Sequence, residues 1–412
     1  MKNSDVHEKI TDHKRIGQIQ DLFLISQEVG SGFPIFAPKG LIVRREIERF
    51  ITSEKEKRGY QFVWTPHIAK SDLYKKSGHW QKYDAMFNPM KLDEDEYVLK
   101  PMNCPHHFQI FLNKPRSYRE LPMRLSENAT VYRYEKSGEV NGLLRVRSLT
   151  IDDTHTFLRY NQIPEELDNV LELMKYIFQT FGFNDYKARI SIRDPKDKKK
   201  YIGDDEHWEM AEKSLLEAVK KHKIEYSIGE GEAAFYGPKI DMMINDSLGR
   251  EWQLATCQLD FNQPNNFDMN HTNEEGKDER PAVLHTAFLG SVERFMGILI
   301  EHYAGKFPVW IAPVQARVLP ITDKVKDYAN KVAKELKESG IRVEVDERSE
   351  TLQAKIRNAQ EQEIPYMLVV GEREEKEESI SIRKRDQKES KTMSIKDFIA
   401  SLKKEIDEKE IS

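Results

Sequence analysis

Four arginines stand in apolar or strand-like settings where a charge is costly. They are Arg133 in VYRYE, Arg145 and Arg147 in LLRVRS, and Arg294 in GSVERFMGILI. Burying a guanidinium costs several kcal/mol unless an anion or hydrogen bonds offset it. Arginine also grips phosphate and carboxylate bidentately. Two readings follow: an anion-binding site, or structural ion pairs with Glu135 or Glu293 as partners. The common phosphate motifs are absent from the sequence: there is no G-x-x-x-x-G-K-[ST], no G-x-G-x-x-G after a strand, and no G-x-S-x-G elbow.

Soft ligands form a second set. Cys104-Pro105-His106-His107 has C-x-x-H spacing that could hold a metal locally, although zinc takes three or four ligands. His155 in DDTHTF and His285 in VLHTAFLG lie in apolar contexts, where a histidine is commonly a hydrogen-bonded core residue. Cys257 reads as a small buried hydrophobe.

Helical spacing of Leu41, Ile42, Ile47, Phe50 and Ile51 predicts a long helix over 38–58, with Gly59 beyond its end. QFVWTPHI follows as a strand with Pro66 near its close. A second amphipathic helix is predicted from Ile163 to Gly182, with Glu165 and Glu166 in its first turn. Residues 187–193, 239–245 and 250–261 read as strands, and Leu289–Ala304 as an apolar core helix. The interleaving has no regular βαβ rhythm, so an α+β domain is expected over 1–309. Beyond Phe307-Pro308 the rhythm becomes βαβαβ: strand Ala316–Ile321, helix Asp323–Ser339 capped by Thr322, strand Ile341–Asp346, a helix near 352–362, and strand Tyr366–Val370. Residues 310–412 therefore form a separate small α/β domain.

The 412 residues suit two to three domains at about 150 residues each. With 38% hydrophobic residues there is apolar material for a large core, which argues against a wholly disordered chain. No apolar run of about 18 residues predicts a membrane span, and the polar start MKNSDVHEKITDHKRIG lacks a secretory apolar region. Two cysteines exclude a disulfide framework and fit a reducing, cytoplasmic setting. Lys and Arg number 65 against 70 Asp and Glu, so any nucleic acid must be met by local patches. RDPKDKKK at 193–200 reads as a solvated loop. Residues 311–412 hold 21 basic and 22 acidic residues, and their candidate patch is Arg383, Lys384, Arg385, Lys388 and Lys391.

Several segments in fixed order, from about residue 12 onward, resemble the threonyl-tRNA synthetase family of class II aminoacyl-tRNA synthetases. They include KSGHWQKYDAMF, LKPMNCPHH, VYRYEKSGEVNGLLRVR, DDTHTF, AAFYGPKID, REWQLATCQLDF, LHTAFLGSVERFMGIL and IPYMLVVG. Helix 38–58 with the Pro66 strand is similar to motif 1, which implies a homodimer interface. VYRYE with GLLRVRS is similar to motif 2, and GSVERF to motif 3. The resemblance implies an antiparallel sheet binding Mg2+-ATP. Arg133 would hold the α-phosphate and the amino-acid carboxylate. Arg294 would hold the γ-phosphate end, Arg145 would assist, and Glu135 would accept from the adenine amino group. It implies one zinc per subunit on Cys104, His155 and His285, leaving His106 and His107 outside the ligand set. The amino group and hydroxyl of threonine would complete the shell. Valine lacks that hydroxyl, whereas serine differs by a methyl worth roughly 1–3 kcal/mol.

Asp153 would orient the ammonium, with Tyr236, Gln253 and Gln258 lining the pocket. Lys239 would face the activated carboxylate, and His79 would handle a proton during transfer to tRNA-Thr because histidine titrates near neutrality. Two positions depart from the family: Leu149 stands where a stacking Phe is expected, and Ile151 where a Gln is expected. About 11 residues precede the matched region. The resemblance thus implies a short form, natural or truncated, without editing of Ser-tRNA in cis, so that mis-acylated tRNA is cleared elsewhere, as by a trans-editing factor, or tolerated. Residues 310–412 are similar to the class IIa anticodon-binding domain, with Arg383 and Arg385 as expected contacts to single-stranded bases. A non-catalytic paralogue that only binds RNA is the alternative reading.

Overall fold

The computed structural model describes residues 12–411 except 195, 246–248 and 388, and at 198 the backbone only. The N-terminal segment 1–11, Pro195 in the charge run and Lys388 in the basic patch lie outside the described residues. Two compact units emerge. One comprises the described residues of 27–33 and 48–295, the other those of 12–26, 34–47 and 296–411.

The first unit is built on an eight-stranded sheet. Its order is Tyr226–Glu230, Tyr186–Ile192, Lys239–Asn245, Glu251–Asp260, Ala282–Ser291, Ser148–Leu158, Met123–Tyr132 and Gln61–Phe62. The outermost pair at each edge is parallel and all other pairs are antiparallel. Antiparallel neighbours put residues of one face in direct opposition, and that sets up the site below. Helix Ile163–Thr180 presents Leu167, Val170, Leu171, Met174, Ile177 and Phe178 as a fully buried stripe. Glu166 in its first turn takes a bidentate bond from Arg124, Nε at 2.7 Å and Nη2 at 2.5 Å.

One expectation holds and two shift in detail. Helix Pro38–Glu56 forms as predicted and stops before Gly59, whose φ of +79° suits glycine. QFVWTPHI does not make one strand. Only Gln61–Phe62 joins the main sheet, and Ile68–Lys70 joins a separate three-stranded sheet with Asp95–Leu99 and Met90–Leu92. Pro66 cannot donate to a ladder, so the chain leaves the sheet there. The apolar stretch 289–304 is not all helix: strand runs to Ser291 and helix begins at Val292. The reason is a register shift between Ala287 and Ser291. There the backbone N–H groups of Phe288 and Leu289 donate to the Asp152 carboxylate at 2.8 and 2.9 Å. Gly290 has φ +70°, and a Cβ on it would lie 2.6 Å from the Leu254 carbonyl oxygen. Asp152 is itself held by Lys55, fully buried, whose Nζ lies 3.2 Å from Oδ2 and donates to the Asp152 carbonyl at 2.7 Å.

The second unit carries a five-stranded sheet, Val343–Val345, Ala316–Pro320, Tyr366–Val370, Ser379–Lys384 and Lys391–Ser394. The first three are parallel and the last two antiparallel to their neighbours. Val332, Leu336, Leu368, Ile380 and Phe398 sit in its core. Thr322 makes no side-chain cap: a short 3-10 turn, Asp323–Val325, precedes helix Lys326–Glu338. No helix among the described residues is long and apolar enough to cross a membrane.

Candidate active site

His155 and His285 stand directly opposite each other on adjacent antiparallel strands. Cys104 is the first residue of helix Cys104–Leu112, with Pro105 in its first turn. The three donor atoms lie within 4.8 Å of one another and all three residues are buried. Each imidazole has one nitrogen already engaged. His155 Nδ1 is 2.9 Å from His107 Nδ1, and His285 Nε2 is 3.0 Å from Asp260 Oδ2. Burial, with His285 and His107 beside it, pushes His155 well below its ordinary value, so it is a neutral imidazole, the form that ligates metals. One soft sulfur and two nitrogens, with fixed rings and an open side, suit a tetrahedral metal keeping one position for another ligand.

That open side is a cavity of about 320 Å³, lined by the triad with Asp153, Tyr236, Gln258, Gln253, Arg133 and Arg294. Asp153 Oδ1 is 4.0 Å from His155 Nε2, and burial raises its carboxyl above the usual range. Tyr236 donates to Gln258 Oε1 at 2.5 Å. Leu149 and Ile151 both line the cavity and give that part of the wall an apolar surface.

The arginines divide. Arg133 makes bonds to the Pro101 carbonyl at 3.4 Å and to Met102 Sδ at 3.2 Å, and Arg294 donates to the Leu144 carbonyl at 2.9 Å. Neither has a carboxylate within 4 Å among the described residues. Burial lowers the Arg294 guanidinium, and the positive charges of Arg133 and Arg145 add to the effect. This corner of the cavity is therefore cationic. Arg145, by contrast, is the structural ion pair that the sequence left open: it bridges Glu135 at 2.7 Å and Glu139 at 3.0 Å, and neither Arg145 nor Glu135 lines the cavity. Arg147 is tied to the carbonyls of Glu135 and Ser31.

Two expected groups differ from their expected state. Lys239 does not line the cavity, because its ammonium is bonded to Asp241. His79 is buried, with Nδ1 2.7 Å from Ser77 Oγ and Nε2 3.9 Å from Cys104 Sγ. Burial, together with His285 and Arg133, pulls it down to about 3, so it is neutral at physiological pH and does not titrate near neutrality. In the second unit Arg385 gives its guanidinium to the carbonyls of Phe307, Glu363 and Lys306. Arg383 donates from Nε to the Gln387 carbonyl at 3.0 Å.

Four further residues support the site; Asp260, Asp241 and Glu127 had no individual sequence signal, and His107 stood out only through its C-x-x-H spacing to Cys104. Asp260 fixes His285, and Asp241 accepts from Gln253 at 2.6 Å and Thr256 at 2.9 Å. His107 and Glu127 stand behind His155, with His107 Nε2 3.3 Å from Glu127 Oε2. Burial opposes the Glu127 charge. Bonds from His107, Asn103 and the Thr65 amide, with Lys100 nearby, outweigh it and hold the carboxyl at about 2.

Comparison with known proteins accords with this geometry. Residues 87–303 match the family model described as tRNA synthetase class II core domain (G, H, P, S and T), and residues 315–405 match the anticodon binding domain model. The chain belongs to the class II aminoacyl-tRNA synthetases and, within them, to the threonyl-tRNA synthetase family. A solved structure, titled the RNA binding domain of threonyl-tRNA synthetase from Cryptosporidium parvum, superposes with TM-score 0.91 at 36% identity, covering 95% of this chain and 98% of that one. The threonine--tRNA ligases of Chloroherpeton thalassium and Thermus thermophilus are each 48% identical over 98% of this chain. The chain spans 62% of the length of each of these two relatives.

Proposed function

We propose that this chain joins L-threonine to tRNA-Thr at the cost of ATP. The observation that carries the reading is the pair of acid-free arginines, Arg133 and Arg294, in the same cavity as the Cys104, His155 and His285 triad. ATP enters as its Mg2+ complex. A threonine carboxylate oxygen attacks the α-phosphorus and pyrophosphate leaves. The 3′-hydroxyl of the terminal adenosine of tRNA then attacks the adenylate carbonyl, and AMP leaves. Arg133 binds the α-phosphate and carboxylate, where charge shifts during the first step, and Arg294 binds the γ-phosphate end. Asp153 orients the ammonium group, and Tyr236 with Gln258 closes the amino-acid end. Gln253 lines the nucleotide side. Arg145 and Glu135, paired with each other outside the cavity wall, act on Arg294 through charge alone. Lys239 acts through Asp241, which in turn holds Gln253 and Thr256. His79, buried behind Cys104 and absent from the cavity wall, does not reach the attacking hydroxyl and is given no proton to carry.

Zinc is the metal assigned to Cys104, His155 and His285, one per subunit, and when bound it supplies a Lewis-acid position that selects a hydroxyl-bearing amino acid. A homodimer is part of this reading, with the exposed Trp64, Ile68, Met90 and Leu92 as apolar side chains available to an interface. Residues 1–309 are assigned to catalysis and 310–412 to the anticodon, with Arg383 the contact of choice since Arg385 is committed to carbonyls. Both cysteines are buried free thiols, in keeping with a reducing cytoplasm.

The test is amino-acid-dependent ATP–pyrophosphate exchange with threonine, serine and valine on zinc-replete protein. Exchange with threonine, weaker exchange with serine and none with valine is the expected pattern. Absence of exchange with all three, from folded zinc-bound protein, overturns the proposal.

A further inference from the structure

His285 reaches a buried carboxylate directly, through Asp260 at 3.0 Å. His155 has no such neighbour on its engaged side. Its Nδ1 meets a second imidazole, His107, at 2.9 Å, and that ring's far nitrogen lies 3.3 Å from Glu127 Oε2. His107 is fully buried and Glu127 nearly so. A chain of carboxylate, imidazole and imidazole inside a core needs a reason, since apolar residues of similar volume would fill the space without desolvating a charge. We infer that Glu127, acting through His107, is the positioning group for His155 as a metal ligand. This rests on the metal-site reading above.

The proton order follows from ligation. A metal on His155 Nε2 requires that ring's proton on Nδ1, where it is donated to His107 Nδ1. His107 then keeps its own proton on Nε2, and Glu127 Oε2 accepts it. Second partners of this kind fix ring orientation and raise ligand basicity. Glu127 is itself pinned. It accepts from the Thr65 amide at 2.8 Å, from Thr65 Oγ1 at 2.9 Å and from Asn103 Nδ2 at 2.8 Å. Lys100 donates to Asn103 Oδ1 at 2.8 Å and so turns its Nδ2 toward Glu127, where it lies 2.9 Å from His107 Nε2 as a second donor to the same Oε2. Asn103 directly precedes Cys104. One polar network therefore fixes two of the three ligands, the sulfur through its helix start and the imidazole through His107. The neighbouring His106 takes no part: its Nε2 has no hydrogen-bond partner.

Zinc content by elemental analysis, zinc affinity by competition with a chromophoric chelator, and the visible spectrum of the Co2+-loaded protein test the inference. The variants are His107→Phe, Glu127→Gln made together with Lys100→Met so that no lone charge remains, and His106→Phe. The parent chain holds one zinc. His107→Phe and the Glu127 double variant bind it about 10- to 100-fold more weakly, with altered Co2+ bands, while His106→Phe binds as the parent does. If His107→Phe does not fold, His107→Gln, which keeps a hydrogen-bonding group of similar reach, carries the comparison. Folded variants with parental affinity and parental Co2+ bands overturn the inference alone. A parent chain that binds no zinc overturns the metal-site reading and the inference with it.

Discussion

Arg294 and Arg385 are both half-buried, and burial lowers the guanidinium of each, yet their surroundings have opposite sign. Around Arg294 the strongest neighbours are Arg133 and Arg145. Around Arg385 they are Glu363, Asp386 and Glu405. Arg294 spends one bond on a carbonyl, whereas Arg385 spends its donors on three. The same side chain is thus a structural tie in one unit and, in the other, part of a cationic wall proposed to bind an anion. A buried arginine by itself says little. What marks a candidate binding site is a cation whose nearest strong charges are other cations, with the one acid that acts on it, Glu135, held in a pair with Arg145.

Substitutions can break or sharpen this contrast. Arg133→Met should have the largest effect, a loss of about 10²- to 10³-fold in pyrophosphate exchange, as for other donors aimed at shifting charge. Cys104→Ser should abolish stoichiometric zinc, read by elemental analysis, and full zinc with full exchange in that variant would sink the ligand set. Arg385→Met should leave exchange per folded molecule intact but lower stability by about 1–3 kcal/mol in denaturant titration, because three carbonyls lose their donor. Arg145→Met, whose guanidinium is almost half exposed and already paired, should slow exchange by about fivefold at most. Arg383→Ala should spare exchange altogether and only weaken tRNA charging, seen as a raised KM for tRNA.

Periodicity made the helices Pro38–Glu56 and Ile163–Thr180 and the strands Tyr186–Ile192, Lys239–Asn245 and Glu251–Asp260 legible, because burial on one face writes a local pattern, whereas Tyr226–Glu230, Met123–Tyr132 and Ser148–Leu158 went unread. The start of the helix at Val292 was not legible. It depends on Asp152, about 140 residues away in sequence, holding the Phe288 and Leu289 amides. The candidate site was legible only as residue types. Cys104, His155 and His285 are far apart in the chain, and register alone places the two histidines opposite each other. Which arginines carry a partner was equally closed to sequence, since Glu135 is as near in the chain to Arg133 as to any other and yet pairs with Arg145. The near-neutral titration expected of His79 failed for a related reason: burial is a property of the fold, and the sequence around His79 gives no sign of it.

The most direct measurement is calorimetric titration of Mg2+-ATP into the parent chain, Arg294→Met and Arg385→Met side by side. Charge-assisted bonds are worth about 1.5–3 kcal/mol, so Arg294→Met should bind ATP roughly 10- to 150-fold more weakly, while folded Arg385→Met binds like the parent. Equal ATP affinity in the parent and Arg294→Met would contradict the account, because the acid-free arginine would then hold no phosphate.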